Sequence, residues 1–276
     1  MSDVQPTPFS ERFERRGGGV GLLWLDRPAR ANALDEAHFH RLRADLSAVS
    51  FEEGLRVLVI AGRGRHFCGG IDLGPDNGAL VRAFAATEDA ELGRALIREL
   101  KACFSPLRGL PWPTIAAIEG ACLGAGLELA LHCDLRVAGR AARLSMPETR
   151  LGLVPDLGGS SLLRRLVGPG RAAMLCLSGR EMDAAEGLSI GLLNEVVEDG
   201  GALAAALRLA EDVARGAPTA TREVLRLLRH ADAEPLADAL ALETEAGVAA
   251  LLSAELVEAA VARLERRPPA WAGQGG

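Results

Sequence analysis

Hydrophobic residues in the first part of the chain are grouped into short, nearly uninterrupted runs. Such runs occupy 20–26, 55–62 and 114–120. An apolar run of this length is typical of a strand that is buried on both faces. Shorter runs at 134–139 and 142–146 predict two further strands. We therefore predict that a β-sheet forms the centre of the molecule.

Segments with helical spacing of apolar residues lie between these strands. Asp35 is placed to cap a helix over roughly 36–49, because its side chain can accept a hydrogen bond from the first turn. The segment 76–93 is polar and irregular, so no regular element is predicted there. The same spacing predicts further helices at 94–104, 126–133 and 161–168.

The character of the chain changes after Gly170, where Ala- and Leu-rich helical segments dominate. One more strand is predicted at 192–197, and the helical region breaks at Pro218 and Pro235. A mixed α/β part followed by helices indicates a core with a helical extension. The predicted division is a core over 1–200, a helical region over 201–266 and a frayed tail over 267–276.

Composition narrows the class of protein. Of 276 residues, 49% are hydrophobic and 25% charged, which is the balance of a folded globular chain rather than a disordered one. No apolar stretch is long enough to cross a membrane and no signal peptide is visible, so we expect a cytoplasmic protein. The net charge of −6 disfavours nucleic-acid binding but leaves room for one anionic ligand held by arginines. Lys101 is the only lysine.

Several common enzyme signatures are missing from the sequence. It contains no GxxxxGK[ST] phosphate loop, no complete GxGxxG fingerprint, no GxSxG elbow and no HExxH. The five cysteines form no CxxC pair, which favours buried, reduced thiols over disulfides or metal ligands. These absences argue against kinases, NAD enzymes, serine hydrolases and zinc enzymes, and we expect no metal site.

Two predicted strands run directly into glycine-rich turns of the same type. The strand at 55–62 leads into FCGGIDL, and the strand at 114–120 leads into LGAGLELA. Small residues let the backbone approach a ligand and expose peptide N–H groups. Two such donors that converge would stabilise an oxyanion. The alternative interpretation is that the glycines only permit close packing.

Three carboxylates lie near these turns in apolar surroundings. Glu128 falls within an apolar helix, and Glu148 and Asp156 each follow a proline. An unpaired buried carboxylate is unfavourable by several kcal/mol, so such residues are either paired structural acids or proton-transfer groups. Three of them near glycine turns favour proton transfer. His132 could orient Glu128, although a structural role for this histidine is favoured.

Polar residues around the turns allow other roles. Asp134 is interpreted as a cap or loop anchor, and the cysteines beside the turns, Cys68 and Cys122, have no base that would make either a nucleophile. Arg65 and His66 belong either to a solvated rim or to a site for ligand phosphates. The sequence leaves these two possibilities open.

Five motifs in order resemble those of the crotonase superfamily, the enoyl-CoA hydratase/isomerase fold. They cover roughly 12–265 and read LDRPARANALD (25–35), HFCGGIDL (66–73), IEGACLGAGLELALHCD (118–134), LSMPETRLGLVPDLGG (144–159) and GREMDAAEGLSIGLLNEVV (179–197). The chain departs from the family pattern at Gly69, Glu119 and Ala125, where the family usually has Ala, Asn and Gly. The resemblance implies a crotonase-like ββα spiral core with a C-terminal all-helical extension.

The resemblance also implies roles for individual residues. The backbone N–H groups of Ile71 and Ala125 would form the oxyanion hole for a thioester carbonyl. Residues 71–74 (Ile71, Asp72, Leu73 and Gly74) would line the acyl-CoA site together with Ala125. Glu128 and Glu148, 20 residues apart, match the two catalytic carboxylate positions of the hydratases. Coenzyme A would be part of the substrate, so no separate cofactor is expected.

Asp156 leaves the reaction type open. Hydratases usually carry Gly at this position, whereas an acid resembles the dienoyl-CoA isomerases of the same superfamily. Hydration of a 2-enoyl-CoA, as in β-oxidation of fatty acids, is favoured over isomerisation using Glu148 and Asp156. A non-catalytic acyl-CoA-binding relative is a third possibility. Family members are trimers or hexamers, so a homotrimer or homohexamer is expected.

Overall fold

Two β-sheets organise the structure, a computed structural model that describes residues 8–230 and 236–272. The larger sheet contains six strands in the order β1–β2–β3–β4–β6–β9, parallel except for the β1–β2 pair. The smaller sheet has the order β5–β7–β8. The strands are β1 (Phe13–Arg16), β2 (Val20–Leu25), β3 (Val57–Gly62), β4 (Thr114–Ile118), β5 (Ala121–Leu123), β6 (Leu135–Gly139), β7 (Arg143–Ser145), β8 (Glu181–Asp183) and β9 (Glu195–Val197).

Helices pack around both sheets and form the C-terminal region. They are α1 (Phe9–Arg12), α2 (Glu36–Val49), α3 (Gly78–Ala85), α4 (Ala90–Phe104), α5 (Pro106–Gly109), α6 (Ala125–His132), α7 (Gly159–Val167), α8 (Pro169–Ser178), α9 (Ala184–Ser189), α10 (Ala202–Ala214), α11 (Pro218–His230), α12 (Leu236–Leu252) and α13 (Ala254–Glu265). No described helix combines the length and apolarity that a membrane span requires.

The apolar runs form the middle of the larger sheet, as predicted. In β3 and β4 every residue except Gly62 is buried, and the parallel register pairs Val59 with Ile115. Burial on both faces explains why neither strand alternates between polar and apolar residues. The carboxyl ends of these two parallel strands lie side by side, so the two glycine turns that follow them emerge at the same edge of the sheet.

Each face of the larger sheet is covered by different elements. One face packs against α2, α4 and α6 through large side chains such as Phe39 and Phe104. The other face packs against α10, whose buried residues are all alanine, so the helix can lie close to the strands. Ala202, the first residue of α10, donates its amide to Glu119 at 2.9 Å. The first helix of the predicted 201–266 region therefore covers the sheet of the core.

Three elements lie in segments whose weak hydrophobic pattern predicts no helix or strand at that place. Helix α3 lies inside 76–93 and begins where Asn77 accepts a hydrogen bond from Ala79. Strand β1 is mostly polar and buries only Phe13, and β8 buries only Met182. Edge strands this short are held by pairing with a neighbour, so they leave no hydrophobic run in the sequence.

The boundaries of the C-terminal helices agree in part with those predicted from the sequence. Pro218 begins α11, as its predicted break requires, whereas Pro235 lies outside the described residues. Residues 270–272 form a 3₁₀ turn, and Trp271 donates its indole N–H to the carbonyl of Arg215 at 3.2 Å. The remainder of the predicted tail, 273–276, is outside the described residues.

Candidate functional site

Backbone hydrogen bonds join the two glycine turns. The amide of Phe67 donates to Glu119 at 2.7 Å, and the amide of Cys68 donates to Ala121 at 2.9 Å. In return, the amide of Leu123 donates to the carbonyl of Cys68 at 3.0 Å. The structure thus places the segment after β3 directly against the segment after β4, as the candidate oxyanion hole requires.

The amides of Ile71 and Ala125 lie where these segments meet. Leu34 and Ile71 form a parallel bridge, in which the carbonyl of Gly70 accepts from Leu34 and the amide of Asp72 donates to Leu34, so the N–H of Ile71 is not used in it. A Cβ atom at Gly70 would lie 3.7 Å from the amide nitrogen of Ala125. Neither amide is a donor in the turn, loop and cap hydrogen bonds of the described residues. The two N–H groups therefore lie on adjoining segments, and neither is used by those hydrogen bonds.

Gly70 is required at this junction by geometry. Its φ of 95° lies in the left-handed region that side chains avoid, and a Cβ atom there would come within 2.7 Å of the carbonyl oxygen of Leu123. Ala125, by contrast, is the first residue of α6. Because only its backbone N–H would bind a ligand, Ala can stand where the family usually has Gly.

Glu128 is fixed by the loop that precedes α7. All eight residues of α6 are buried, and Oε1 of Glu128 accepts the amides of Leu157 and Gly159, both at 2.9 Å. Burial raises the pKa of Glu128 to about 8, with further increases from the charges of Glu148 and Asp156 and a partial opposing effect of the two amides. The carboxyl is therefore held in place by the loop, and its pKa lies well above the usual range of a glutamate.

Glu148 lies against the turn that starts α6. It begins a 3₁₀ turn after β7 and is 8% exposed. A Cβ atom at Gly124 would lie 2.9 Å from its Oε1, which puts the carboxyl beside the Ala125 amide. Burial raises the pKa of Glu148, helped by the charge of Asp156. Its Oε2 atom is buried without a hydrogen-bond partner among the described residues.

Asp156 is the third carboxyl of this cluster. It is half-buried, and burial raises its pKa. Its charge adds to the effect of burial in raising the pKa values of Glu128 and Glu148. A residue that the sequence analysis did not connect with this cluster, Cys176 of α8, also lies within the electrostatic influence of both glutamates.

Residues 71–74 form a loop anchored by its own acid. Asp72 accepts hydrogen bonds from Arg27 at 2.6 Å, Arg30 at 2.9 Å and the amide of Gly74 at 2.9 Å. Burial alone would raise the pKa of Asp72, but these hydrogen bonds and charges lower it to about 2. Its carboxylate therefore holds the loop that carries Ile71, and the neighbouring Leu73 is 53% exposed.

His132 has a structural role, as favoured from the sequence. Its Nε2 lies 2.8 Å from the carbonyl oxygen of Leu157, and its ring meets that of Phe104 edge-on at 5.7 Å. Burial lowers the pKa of His132, so the neutral ring donates Nε2–H to that carbonyl. Since Leu157 also donates to Glu128, His132 positions the loop that holds the carboxylate.

His66 and Asp134 make defined contacts, whereas Arg65 lies at the surface. Nδ1 of His66 accepts the amide of Ala121 at 3.1 Å, which helps to join the turns. Arg65 is exposed. Asp134 accepts hydrogen bonds from Thr114 and Arg229, so it is an anchor, as predicted.

Sequence reasoning missed the contacts that position the carboxyls. The amides of Leu157 and Gly159, and the arginines Arg27 and Arg30, were not identified as part of the site. Their partners are 29 to 45 residues away along the chain, and only the fold brings them together. The PDLGG stretch at 155–159 was the signal in the sequence, because Gly159 permits the close approach to Glu128 and Gly158 permits the close approach to His132.

Within residues 8–230 and 236–272, one group of possible metal ligands lies outside this site. Glu36, His40 and Glu99 are near one another, but Arg82 bonds to both carboxylates and neutralises them. The five cysteines are free, and four of them are buried. We assign no metal to either place.

Comparison with known proteins gives a consistent set of relatives. A family model described as Enoyl-CoA hydratase/isomerase matches residues 15–274. The 2,3-dehydroadipyl-CoA hydratase of Escherichia coli (strain K12) is 35% identical over 266 residues, which cover 96% of this chain and 100% of that protein. The mitochondrial methylglutaconyl-CoA hydratase of Mus musculus is 31% identical over 267 residues, with 95% and 82% covered.

Solved structures show the same architecture. A crystal structure of enoyl-CoA hydratase from Bacillus anthracis has a TM-score of 0.84 and 30% identity, covering 95% of this chain and all of that one. An enoyl-CoA hydratase from Polaromonas sp. JS666 has a TM-score of 0.83 and 33% identity, covering 93% and 97%. These likenesses confirm the predicted fold class, an α/β core with a C-terminal helical region.

Proposed function

The chain belongs to the enoyl-CoA hydratase/isomerase family, whose members act on acyl-CoA thioesters, and we propose that it adds water across the double bond of a 2-enoyl-CoA. The observation that carries this proposal is the pair of buried carboxyls, Glu128 and Glu148, beside the turn that presents the Ala125 amide. Hydration needs both a proton donor and a group that activates water, and this pair supplies them.

The two amides would polarise the thioester. With its carbonyl oxygen between the N–H groups of Ile71 and Ala125, C3 becomes electrophilic and the oxygen can accept charge as an enolate forms. Preorganised backbone donors stabilise that charge without rearranging during the reaction. Loss of one such donor lowers the rate by about 10²–10³ in comparable sites.

The two carboxyls would divide the proton transfers between them. Ionised Glu128 takes a proton from the water whose oxygen bonds to C3, while protonated Glu148 gives its proton to C2. The atoms of one water molecule are then added, and the pair still holds one proton, now on Glu128. Burial raises both pKa values, which keeps that proton on the pair at neutral pH. Exchange between the two carboxyls restores the starting state.

A direct assay tests this proposal. The purified chain is incubated with a short 2-enoyl-CoA, and the product is followed by mass and by the loss of conjugated-thioester absorbance. We expect a gain of one water in the product. Unchanged thioester after prolonged incubation with 2-enoyl substrates of several lengths would contradict hydration.

Isomerisation is the second candidate, and Asp156 is the observation that favours it. Its half-buried carboxyl has a raised pKa and is electrostatically coupled to both glutamates, so it could return a proton further along the acyl chain. In that case a 3-enoyl- or dienoyl-CoA would be rearranged at unchanged mass. Asp156→Asn should abolish isomerisation and leave most of the hydration, and loss of both reactions would reject this division of roles. Binding of acyl-CoA without conversion of any substrate would indicate a non-catalytic relative.

Self-association is proposed as part of the working protein. Large apolar side chains are exposed on the C-terminal helices: Leu251, Leu252, Leu256, Val257 and Leu264. Apolar surface of this extent favours burial against another copy of the chain. A groove of about 640 Å³ beside α7 and α11 includes none of the proposed catalytic residues and provides further apolar surface. Light scattering should give the mass of a trimer or hexamer, and a monomeric mass would reject this part of the proposal.

A further inference from the structure

One buried asparagine joins two loops at the carboxyl edge of the larger sheet. Asn32 follows β2, within the first of the five motifs, and is 2% exposed. Its side-chain amide donates to the carbonyl oxygens of Arg63 at 3.0 Å and His66 at 2.7 Å, while its Oδ1 accepts the amide of Arg27 at 2.8 Å. All three partners are backbone groups, so the asparagine ties the loop after β2 to the loop after β3.

The backbone at this position also favours asparagine. Its φ is 56°, and the preceding Ala31 has a φ of 51°, so both residues lie in the left-handed region. Asparagine enters this region more readily than most residues that carry a side chain. A Cβ atom at Gly62, which ends β3, would lie 2.7 Å from Nδ2 of Asn32, so the amide is packed against the end of that strand. Backbone conformation and hydrogen bonding therefore both select this residue type.

The turn that contains Asn32 is bonded to the start of the segment 66–74. The carbonyl oxygen of Ala31 accepts the amide of Gly69 at 2.8 Å, and that of Asn32 accepts the thiol of Cys68 at 3.1 Å. The side chain of Asn32 adds the bond to the carbonyl of His66. The turn therefore holds the backbone just before the candidate oxyanion-hole amide.

The same turn also holds both neighbours of that amide. Leu34 donates its own amide to the carbonyl oxygen of Gly70 at 2.8 Å, and its carbonyl oxygen accepts the amide of Asp72 at 2.9 Å. Gly70 and Asp72 are the residues on either side of Ile71, whose N–H group is not used by these bonds. A shift of the turn would therefore move the Ile71 amide with it.

The exact position of this amide is important for the proposed chemistry. A backbone donor stabilises a developing oxyanion when it is already aimed at the oxygen, and a displacement of about 1 Å can lower the rate by about 10²-fold. The ion pairs of Asp72 hold the far end of the segment, with Arg30 partly exposed. Asn32 holds the start of the segment from a buried position.

We propose that Asn32 is a positioning residue of the candidate oxyanion hole, which sets the place of the Ile71 amide through the turn 31–34. Such a role rests on the proposed function, because that function assigns this amide to the thioester carbonyl. It goes further by naming a residue that acts on the reaction through backbone hydrogen bonds, without contact with the reacting atoms.

A pair of CoA ligands isolates the contribution of the oxyanion hole to binding. One is a saturated acyl-CoA thioester, and the other is the S-alkyl-CoA thioether of equal length, which has a methylene group in place of the carbonyl. Only the thioester can accept hydrogen bonds from the two amides. We expect the native chain to bind the thioester about tenfold more tightly, as two hydrogen bonds of ordinary net strength would give. Isothermal titration calorimetry measures both dissociation constants.

Asn32→Gly is the first variant, because glycine keeps the left-handed backbone and removes only the side-chain bonds. We expect its preference for the thioester to fall to about threefold or less, which corresponds to the loss of one of the two donors. The thioether should bind almost as well as it does to the native chain. General loosening of the fold would weaken both ligands equally and leave the preference unchanged, and that result would overturn the proposal.

Asn32→Asp is the second variant, and it serves if the glycine variant does not fold. Aspartate keeps the shape of the side chain and can accept the Arg27 amide, but an ionised carboxylate cannot donate to the carbonyls of Arg63 and His66. The preference should be lost where this carboxyl is ionised. Relative to the native chain, it should return in part at lower pH, where the protonated carboxyl can donate one bond. A preference equal to the native one at every pH would contradict the positioning role.

Asn194→Gly is the matched control. Oδ1 of Asn194, just before β9, accepts the amide of Arg136 at 2.8 Å, so this variant also removes a side-chain bond to the backbone. It should keep the native preference for the thioester. Loss of the preference in this variant too would show that any lost asparagine bond has this effect, and a specific role for Asn32 would be rejected.

Turnover gives a second readout of the same role. In Asn32→Gly, kcat for hydration of a 2-enoyl-CoA should fall by about 10–10², with little change in KM, because an oxyanion donor acts mainly on the transition state. A raised KM at unchanged kcat would contradict this.

The binding comparison separates the role of Asn32 from the proposed function. If Asn32→Gly loses the preference of the native chain but no substrate is hydrated, the role of Asn32 is supported and the proposed function is rejected. If the native chain hydrates its substrate but binds thioester and thioether equally, the role of Asn32 is rejected and hydration stands.

Discussion

The two segments that present the candidate oxyanion-hole amides are held by different forces. The segment 66–74 carries Ile71 and depends on charge, because Asp72 binds two arginines and the Gly74 amide. The segment 121–132 carries Ala125 and depends on packing, because every residue of α6 is buried. We call segment 66–74 the charged arm of the site and segment 121–132 the packed arm. Ion pairs near the surface anchor the charged arm, and the hydrophobic core anchors the packed arm.

This difference shows how a site can join a rigid element to an adjustable one. The packed arm also carries Glu128, so the amide of Ala125 and that carboxyl keep a constant relation within one helix. The charged arm lies at the rim, where Arg30 is half-exposed and Leu73 is exposed. Ion pairs there are weaker than core packing and are screened by salt. We expect the 66–74 arm to adjust to the substrate and the 121–132 arm to stay fixed.

The largest effect on activity should come from removing a proton-transfer group while both arms keep their positions. Glu148→Gln keeps the shape of the side chain but cannot transfer a proton, so kcat should fall by about 10²–10⁴. Steady-state kinetics and thermal unfolding measure activity and folding separately. A fully active, folded Glu148→Gln enzyme would refute the role of this residue. Glu128→Gln is the matched variant on the packed arm, and its amide oxygen can still accept the two loop amides.

The next largest effect should come from disturbing the contact between the arms. Substitutions at two glycines test this contact. A Cβ atom at Gly126 would lie 2.4 Å from the carbonyl oxygen of Cys68, so Gly126→Ala should force the arms apart. We expect a loss of about 1–3 kcal/mol in the free energy of unfolding, typical of overpacking, and a clear loss of activity. Gly69→Ala is the control, because its nearest contact, with Ala31, would be 3.5 Å. Denaturant unfolding of both variants should separate them, and equal stabilities would contradict the packed interface.

The pH dependence of activity and stability distinguishes the two arms, because the pKa of Glu128 is raised and that of Asp72 is lowered. Since the pKa of Glu128 is raised to about 8, raising the pH through that value removes the proton shared by the carboxyl pair. The rate should then fall by up to about tenfold per pH unit. Neutral Glu128 stabilises the folded state fully below its unfolded pKa, and this contribution is lost as the pH rises through about 8.

Asp72 behaves in the opposite way, because its pKa is lowered to about 2 and it stays ionised across this range. The stability that it contributes is lost only as the pH falls towards about 2. Initial rates and unfolding free energies measured over a pH series would test both statements. A rate that stays level well above pH 8 would contradict the assignment of Glu128.

The smallest effect should come from the charged arm. Asp72→Asn removes the charge that binds Arg27 and Arg30, and partly exposed ion pairs contribute at most about 1 kcal/mol each. We expect kcat/KM to fall several-fold and to become less sensitive to salt than in the native chain. The measurement is kcat/KM at low and high ionic strength. A loss as large as that of Gly126→Ala would show that this arm is as rigid as its neighbour.

Clear local patterns of apolar and polar residues made much of the fold predictable. The runs that became β3 and β4, the Asp35 cap of α2 and the apolar helix α6 carry their structure in local pattern. Helix α3 and strand β8 do not, because their stability comes from neighbours that are distant in sequence. The family resemblance, based on five motifs, is confirmed by the match over 15–274.

The sequence by itself determined which residues are present at the site and which strands lead to it. Glycine turns after buried strands, and carboxyls in apolar surroundings, are local features that any reader of the chain can identify. Only the tertiary structure decided how they are held: Glu128 by two loop amides, His132 by a carbonyl, and Asp72 by two arginines. The physical reason is that hydrogen bonds and desolvation depend on distance in space, which local sequence patterns do not encode.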